Sequence, residues 1–346
     1  MQALAEGSAC LAKSAFPDCE VEFQSYGMIQ GIEESLGLRS ILLALRTSKS
    51  SITQWLKTFD FVIDTGAGDS FSDIYGFRRL LEMSALRIVI RRAGLPFVMG
   101  PQTVGPFETR IGRALARQSL KGCSVLIARD PISMGASSRI YDGTAVLASD
   151  VAFLLPKQPA AKRFDLLFNV SGLLWEENKH IEYSVYRQYV FEFIEEANSA
   201  GVDVTLLNHV LDSPDSDNDA PAAQHVREQL SNLDLAVETP KSLEHARSLI
   251  AGASVVLASR MHASLNSISQ GVPAVSWAYS RKFEPLFDAL DWPYTFDLRS
   301  PGADLVEQTL ASVLQLRQEG APAVEVASNA RSALLSATRS LNGLAS

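Results

Sequence analysis

The chain has 346 residues, 47% apolar and 20% charged, which is enough hydrophobic material for two ordinary domains and excludes a disordered or low-complexity class. Its formal charge of −8 excludes a general nucleic-acid binder, whose affinity for phosphate backbones comes from a basic surface. The charge is uneven: residues 1–156 carry 16 Lys+Arg against 15 Asp+Glu, and residues 157–346 carry 15 against 24.

Short apolar runs alternating with longer amphipathic segments predict parallel strands joined by crossover helices. In chain order, strands are expected at Phe59–Asp64, Pro96–Gly100 and Ser124–Ala128, with helices over Gly76–Ala93 and Glu108–Lys121. The Pro- and charge-rich segment Pro156–Arg163 reads as an exposed linker. A second series follows, with strands at Asp165–Val170, Val202–Asn208, Ala253–Ala258 and Pro273–Trp277, and helices at Tyr183–Ala200, Ala222–Ser231, Leu243–Ala251 and His262–Gln270. Leu211–Ala220 is a polar loop and Ala321–Asn342 a lone terminal helix. The expected fold class is therefore α/β: two Rossmann-like doubly wound domains, 1–156 and 164–320, facing across a cleft, with a C-terminal helix in 321–346. In such sheets ligands sit beyond the carboxyl ends of the strands.

Cys10, Cys19 and Cys123 form an odd set without C-x-x-C spacing, so neither a disulfide framework nor a zinc site is expected, and no metal-ligand cluster is evident. No apolar run approaches the roughly eighteen residues of a membrane span, and the first residues lack the basic start and apolar core of a signal peptide; a cytoplasmic protein is expected. Arg110, Arg113 and Arg117 share one helical face. That face suits either a peripheral contact with anionic lipid at the inner side of the membrane or an ordinary solvated stripe.

The stretches able to carry chemistry all follow expected strands. Asp64-Thr-Gly-Ala-Gly-Asp-Ser-Phe-Ser-Asp73 joins two glycines to three carboxylates, fit to approach sugar hydroxyls or, equally, to build a capped turn. Gly100-Pro-Gln-Thr-Val-Gly-Pro-Phe107 is a rigid loop that could hold Gln102 and Thr103 toward a ligand or serve as a plain turn. Arg129, with Asp130 and Ser133 behind it, ends a strand where an anion would be gripped; a surface Arg–Asp pair is the alternative. Ser259-Arg-Met-His262 puts Arg260 and His262 at a helix start, a favourable site for phosphate or carboxylate. Lys282, in Tyr279-Ser-Arg-Lys282, and His209, after Asn208, open on the same sheet edge, as an anion ligand and a proton carrier or as ordinary loop residues.

In this order the stretches resemble the polysaccharide pyruvyltransferase family, whose members share a fold similar to the two-domain GT-B glycosyltransferases. The resemblance runs from about Met1 to Leu290. The family's Gly-rich turn corresponds to 64–73, its G-P-Q-T/S-x-G-P-F loop to Gly100–Phe107, its R-D-x-x-S to Arg129–Ser133 and its D-x-A-F-L-L to Asp150–Leu155. A histidine after a strand with a downstream aspartate is matched by His209 and Asp219. S-R-x-H-A, G-V-P and Y-x-x-K are matched by Ser259–Ala263, Gly271–Pro273 and Tyr279–Lys282. Two departures stand out. The turn usually holds three consecutive glycines, whereas here Thr65 and Ala67 flank Gly66, and the strand and Asn/Gly-rich loop that precede the family's first helix are missing ahead of Met1–Ala15.

The resemblance implies transfer of pyruvate as a ketal from phosphoenolpyruvate to a glycan or lipid-linked sugar acceptor, without a cofactor. It implies Arg129, Arg260, His262 and Lys282 as phosphoenolpyruvate-binding residues, and His262 or His209 as proton donor. It further implies Asp64, Asp69 or Asp73 acting on the sugar hydroxyls, with Gly66, Gly68, Asp69, Gln102 and Thr103 contacting the acceptor. A GT-B nucleotide-sugar glycosyltransferase or sugar epimerase would use a similar basic site, and a non-catalytic glycan-binding relative is a third reading.

Overall fold

The computed structural model describes residues 2–29, 34–68, 71–210, 217–319 and 322–344. The chain divides into two compact units, Met1–Leu154 with Ala330–Ser346, and Leu155–Asn329. The change of unit thus falls just ahead of the linker expected at Pro156–Arg163. The terminal helix, Ala323–Thr338 followed by a 3-10 turn at Arg339–Leu341, is not a body of its own, because its later part belongs to the first unit. There Arg331 Nη1 donates to the carbonyls of Phe153 (3.3 Å) and Leu154 (3.1 Å).

In the first unit β1 (Val62–Asp64), β2 (Phe97–Gln102), β3 (Cys123–Ala128) and β4 (Thr144–Leu147) form a parallel sheet in the order β1-β2-β3-β4. β2 and β3 are almost continuously buried, as expected of parallel strands covered on both faces, whereas β4 is partly exposed. The crossover helix Phe77–Arg92 sends Leu80, Met83, Val89 and Ile90 into a core shared with Phe97, Met99 and Leu126. Helix Arg110–Ser119 is capped by Thr109, whose Oγ1 accepts from Gly112 N at 2.9 Å. Its Arg110, Arg113 and Arg117 are exposed. Helix Pro131–Ser137 starts at an Asp130 cap with proline in its first turn.

The second unit holds β5 (Phe164–Asn169), β6 (Val204–Leu207), β7 (Ala236–Glu238), β8 (Ala253–Ala258), β9 (Ala274–Ala278) and β10 (Thr295–Asp297). All pairings are parallel and the order is β10-β9-β8-β5-β6-β7. Chain order runs outward from β5 to β7 on one side and from β8 to β10 on the other, so the reversal lies between β5 and β8. That is the doubly wound switch point, where a crevice opens beyond the strand ends. Phe168, Phe193 and Trp277 meet edge-to-face at the centre of this unit's core. Helix Leu305–Glu319, which the sequence reading left unassigned, closes that core; Trp277 Nε1 donates to Thr309 Oγ1 at 3.0 Å.

The architecture is the α/β pair of Rossmann-like sheets read from the sequence. The pattern also left out β4, β7, β10 and the short helices Leu38–Ala44 and Ser51–Leu56, each only three to seven residues long. Among the described residues no helix is long and apolar enough to cross a membrane.

Candidate functional site

At the switch point of the second unit, β5 delivers Asn169, β6 delivers Asn208 and His209, and β8 delivers Ser259 and Arg260. Asp219, fully buried, ties these strand ends together. Its Oδ2 accepts from Asn169 Nδ2 (3.0 Å), His209 N (3.1 Å) and Val210 N (2.9 Å). Its Oδ1 accepts from Gly172 N (2.9 Å), Arg260 Nε (3.2 Å) and Arg260 Nη2 (2.8 Å). Gly172 is required by the same packing, since a Cβ there would lie 1.9 Å from the Asn218 carbonyl oxygen. Tyr186, on helix Tyr183–Ser199, braces the other side: its hydroxyl accepts from Ser171 N (2.9 Å) and donates to Ser259 Oγ (2.8 Å).

Arg260 therefore does not enter this crevice as a bare cation. Besides Asp219, it donates through Nη1 to Asp217 Oδ1 at 2.6 Å and through Nη2 to the Asp217 carbonyl. Burial works against its charge, but the two carboxylates outweigh burial and hold its pKa above the usual value. Two carboxylates on one guanidinium leave this corner with net negative charge, so positive charge for an anionic ligand has to come from elsewhere on the edge.

Three other features lie on that edge. His262 is in the first turn of helix Met261–Ser269, whose amino end carries a partial positive charge. Lys282, four residues beyond β9, has its pKa pushed down to about 8 by burial. His209 is pushed down to about 4, by burial first and then by the charges of His262 and Arg260, with Asp219 opposing. Its Nε2 lies 3.3 Å from Asn266 Nδ2.

Among the described residues, the sequence-derived ones of the first unit form one connected group, except Asp73. Gly66, Ala67 and Gly68 have φ of 54°, 52° and 85°, three successive left-handed residues, which explains why the family's turn is glycine-rich. Asp64 Oδ1 accepts from Gly66 N at 2.8 Å, and its Oδ2 accepts from Arg87 Nε at 2.6 Å. Gln102 Nε2 donates to the Asp64 carbonyl at 3.0 Å, and Thr103 N donates to the Gly68 carbonyl at 2.9 Å. Arg129 is 1% exposed; its Nε donates to Thr103 Oγ1 (3.0 Å) and its Nη1 to Asp150 Oδ2 (2.9 Å). It holds the loop that begins at Thr103 to the sheet from inside the unit.

Ser133 completes that fastening, donating to Asp130 Oδ2 at 2.7 Å while accepting from Val104 N at 3.0 Å. Asp73 stands apart. Both its oxygens are occupied, Oδ1 by Glu108 N (2.8 Å) and Oδ2 by Thr109 N (2.8 Å) and Thr109 Oγ1 (2.7 Å), so it fastens the loop at 108–109, in keeping with the capped-turn alternative. Asp69 lies outside the described residues.

Several participants escaped the sequence reading. Arg87 is fully buried, stacked 3.9 Å over the Phe71 ring and paired with Asp64, but in the sequence it is one arginine among several on a basic helix. Tyr186, Asn169 and Asn266 likewise sit inside elements that read as core or solvated face.

A family model described as polysaccharide pyruvyl transferase matches residues 14–281. The chain belongs to that family. Polysaccharide pyruvylation is the general activity that membership carries, and the motifs quoted above are this family's pattern placed on a structure. No curated protein matches the chain. Among solved structures, a Listeria monocytogenes protein assigned as a UDP-N-acetylglucosamine 2-epimerase is similar with a TM-score of 0.58 and 11% identity, over 95% of this chain and 88% of that one. The UDP-GlcNAc 2-epimerase of Methanocaldococcus jannaschii gives 0.52 and 11%, over 88% and 81%. That of Neisseria meningitidis bound to UDP-GlcNAc gives 0.52 and 11%, over 90% and 83%. At such identities the likeness is one of fold, and the pyruvyl transferase chain shares the GT-B-like fold of these proteins.

Proposed function

We propose that this chain transfers pyruvate from phosphoenolpyruvate, as a ketal, onto a sugar of a cell-surface or exported polysaccharide. The observation that carries the reading is the family's Ser-Arg-x-His-Ala stretch, Ser259–Ala263, lying at the switch point of the second sheet and running into a helix amino terminus. A donor that is both phosphate and carboxylate needs several positive groups together, and His262, Lys282 and the helix end supply them. Arg260, held by its two aspartates, contributes position more than free charge.

In the proposed reaction the methylene carbon of the donor is protonated, which makes C2 electrophilic, and a first sugar hydroxyl adds there. The bond from C2 to the phosphate oxygen then breaks as a second hydroxyl closes the ketal. Of the two hydroxyl protons released, one replaces that spent on the new methyl group and the other leaves with phosphate, so the balance needs no oxidant or cofactor. The turn at 64–68 with Gln102 and Thr103 is proposed to meet the sugar.

The test is thermal stability of the purified chain with phosphoenolpyruvate and, in parallel, with UDP-N-acetylglucosamine. A ligand of the native state present at a hundred times its Kd adds about 2.7 kcal/mol. Stabilisation by phosphoenolpyruvate and not by the nucleotide sugar supports the reading, and the reverse pattern overturns it in favour of nucleotide-sugar chemistry.

A further inference from the structure

Either His209 or His262 could carry the proton that the resemblance implies, and hydrogen bonding around His209 separates the two. Arg247, on helix Leu243–Ala251, is 2% exposed and held in place: Nη1 donates to Ser269 Oγ at 3.0 Å and Nη2 to the Pro156 carbonyl at 3.2 Å. The same Nη1 lies 2.8 Å from one terminal atom of the fully buried Asn266 amide. A guanidinium has donors only, so that atom must be the amide oxygen Oδ1. The other terminal atom, Nδ2, is then a donor, and it is the one facing His209 Nε2 at 3.3 Å.

We infer that Asn266, oriented by Arg247, is a positioning residue that fixes His209 as the neutral tautomer with its hydrogen on Nδ1. A proton on Nε2 would set two donors against each other inside the unit. The depressed pKa of His209 points the same way, and among the described residues the charged or titratable groups acting on the ring are Asp219, His262 and Arg260. His209 then offers a ligand oxygen a hydrogen bond from Nδ1 but does not hold the proton that goes to the donor's methylene carbon. That proton is left to His262. This last consequence rests on the proposed function, whereas the tautomer does not.

The experiment is two-bond 1H–15N correlation NMR of the full chain labelled in histidine, with His209→Gln to assign the ring. At pH 7 the wild type is expected to show Nε2 in the unprotonated range and Nδ1 in the protonated range. A neutral Nε2–H ring, or an imidazolium, overturns the inference before any change at Asn266. Asn266→Asp puts a carboxylate between Arg247 and the ring; it is expected to move the hydrogen to Nε2 and to bring His209 titration up into the range pH 5–8. With phosphoenolpyruvate as donor, kcat of Asn266→Asp is expected to fall by about tenfold or more and the pH profile to gain a limb, with KM changing less than kcat. An unaltered tautomer together with an unaltered profile overturns the positioning role. A wild type that does not turn over phosphoenolpyruvate counts against the proposed donor and leaves the tautomer to be decided by the spectra.

Discussion

Asp219→Ala is the perturbation whose cost the structure defines most fully. The carboxylate is fully buried and accepts six hydrogen bonds, three on each oxygen, from Asn169, Gly172, His209, Val210 and Arg260. Alanine leaves Arg260 with Asp217 alone, whose side chain is 45% exposed, and removes the acceptor of three backbone N–H groups, those of Gly172, His209 and Val210. Breaking a buried ion pair by removing one partner costs about 3–5 kcal/mol, and the stranded donors add to that. For a unit of this size each kcal/mol lowers Tm by about 2–4 °C, so a loss of about 10 °C or more is expected by differential scanning calorimetry. Asp219→Asn keeps the shape but turns an NH2 toward three donors, and should fall nearly as far. Asp217→Ala is the control, because a half-exposed ion pair is screened and contributes about 1 kcal/mol or less. An Asp219→Ala melt within about 2 °C of wild type, or no lower than that of Asp217→Ala, would refute the hub.

Lys282 loses its proton through about pH 8 in the free protein, so kcat/KM for phosphoenolpyruvate should fall as pH rises through 8. Lys282→Arg, which stays charged, should remove that limb; an identical profile in both proteins takes Lys282 out of the donor site. Asp73 titrates below the ordinary carboxylate value: burial opposes this, but the hydrogen bonds from Thr109 and Glu108 prevail. Its stabilisation is therefore intact above about pH 4 and lost as pH falls below it, so Asp73→Asn should lower the midpoint of denaturant melts at pH 7, with a gap that narrows in acid. Ala67 pays for a left-handed backbone at φ 52°, and Ala67→Gly should raise stability by about 1 kcal/mol in the same melts. A lower stability for that variant would mean that residue 67 does not adopt this conformation.

The strands that define both sheets were legible because parallel strands buried on both faces are written as unbroken apolar runs, and Ala253–Ala258 and helix Leu243–Ala251 were read to the residue. β4, β7 and β10 are three or four residues long and none of their residues is fully buried, too short for any period to show. Helix Leu305–Glu319 went unread although it packs on the second core, and the last helix was read as independent although its final turns belong to the first unit. The motif stretches were legible as well, since each is a turn at a strand end and turns are written in glycine, proline and polar residues.

What each motif residue does was decided elsewhere. Arg129 and Arg260 looked like anion grips, and the fold supplies their carboxylates from 21 and 41 residues away, Asp150 and Asp219. Asp64 looked like a base, and its partner Arg87 comes from the next helix. Sequence by itself determined where the chain turns, which runs are buried and which family the motifs resemble, because those signals are local. Only the tertiary structure decided which charges are compensated and which histidine nitrogen carries hydrogen. A buried ion takes its state from whatever the fold brings within about 3 Å of it, and that neighbour is rarely close in sequence.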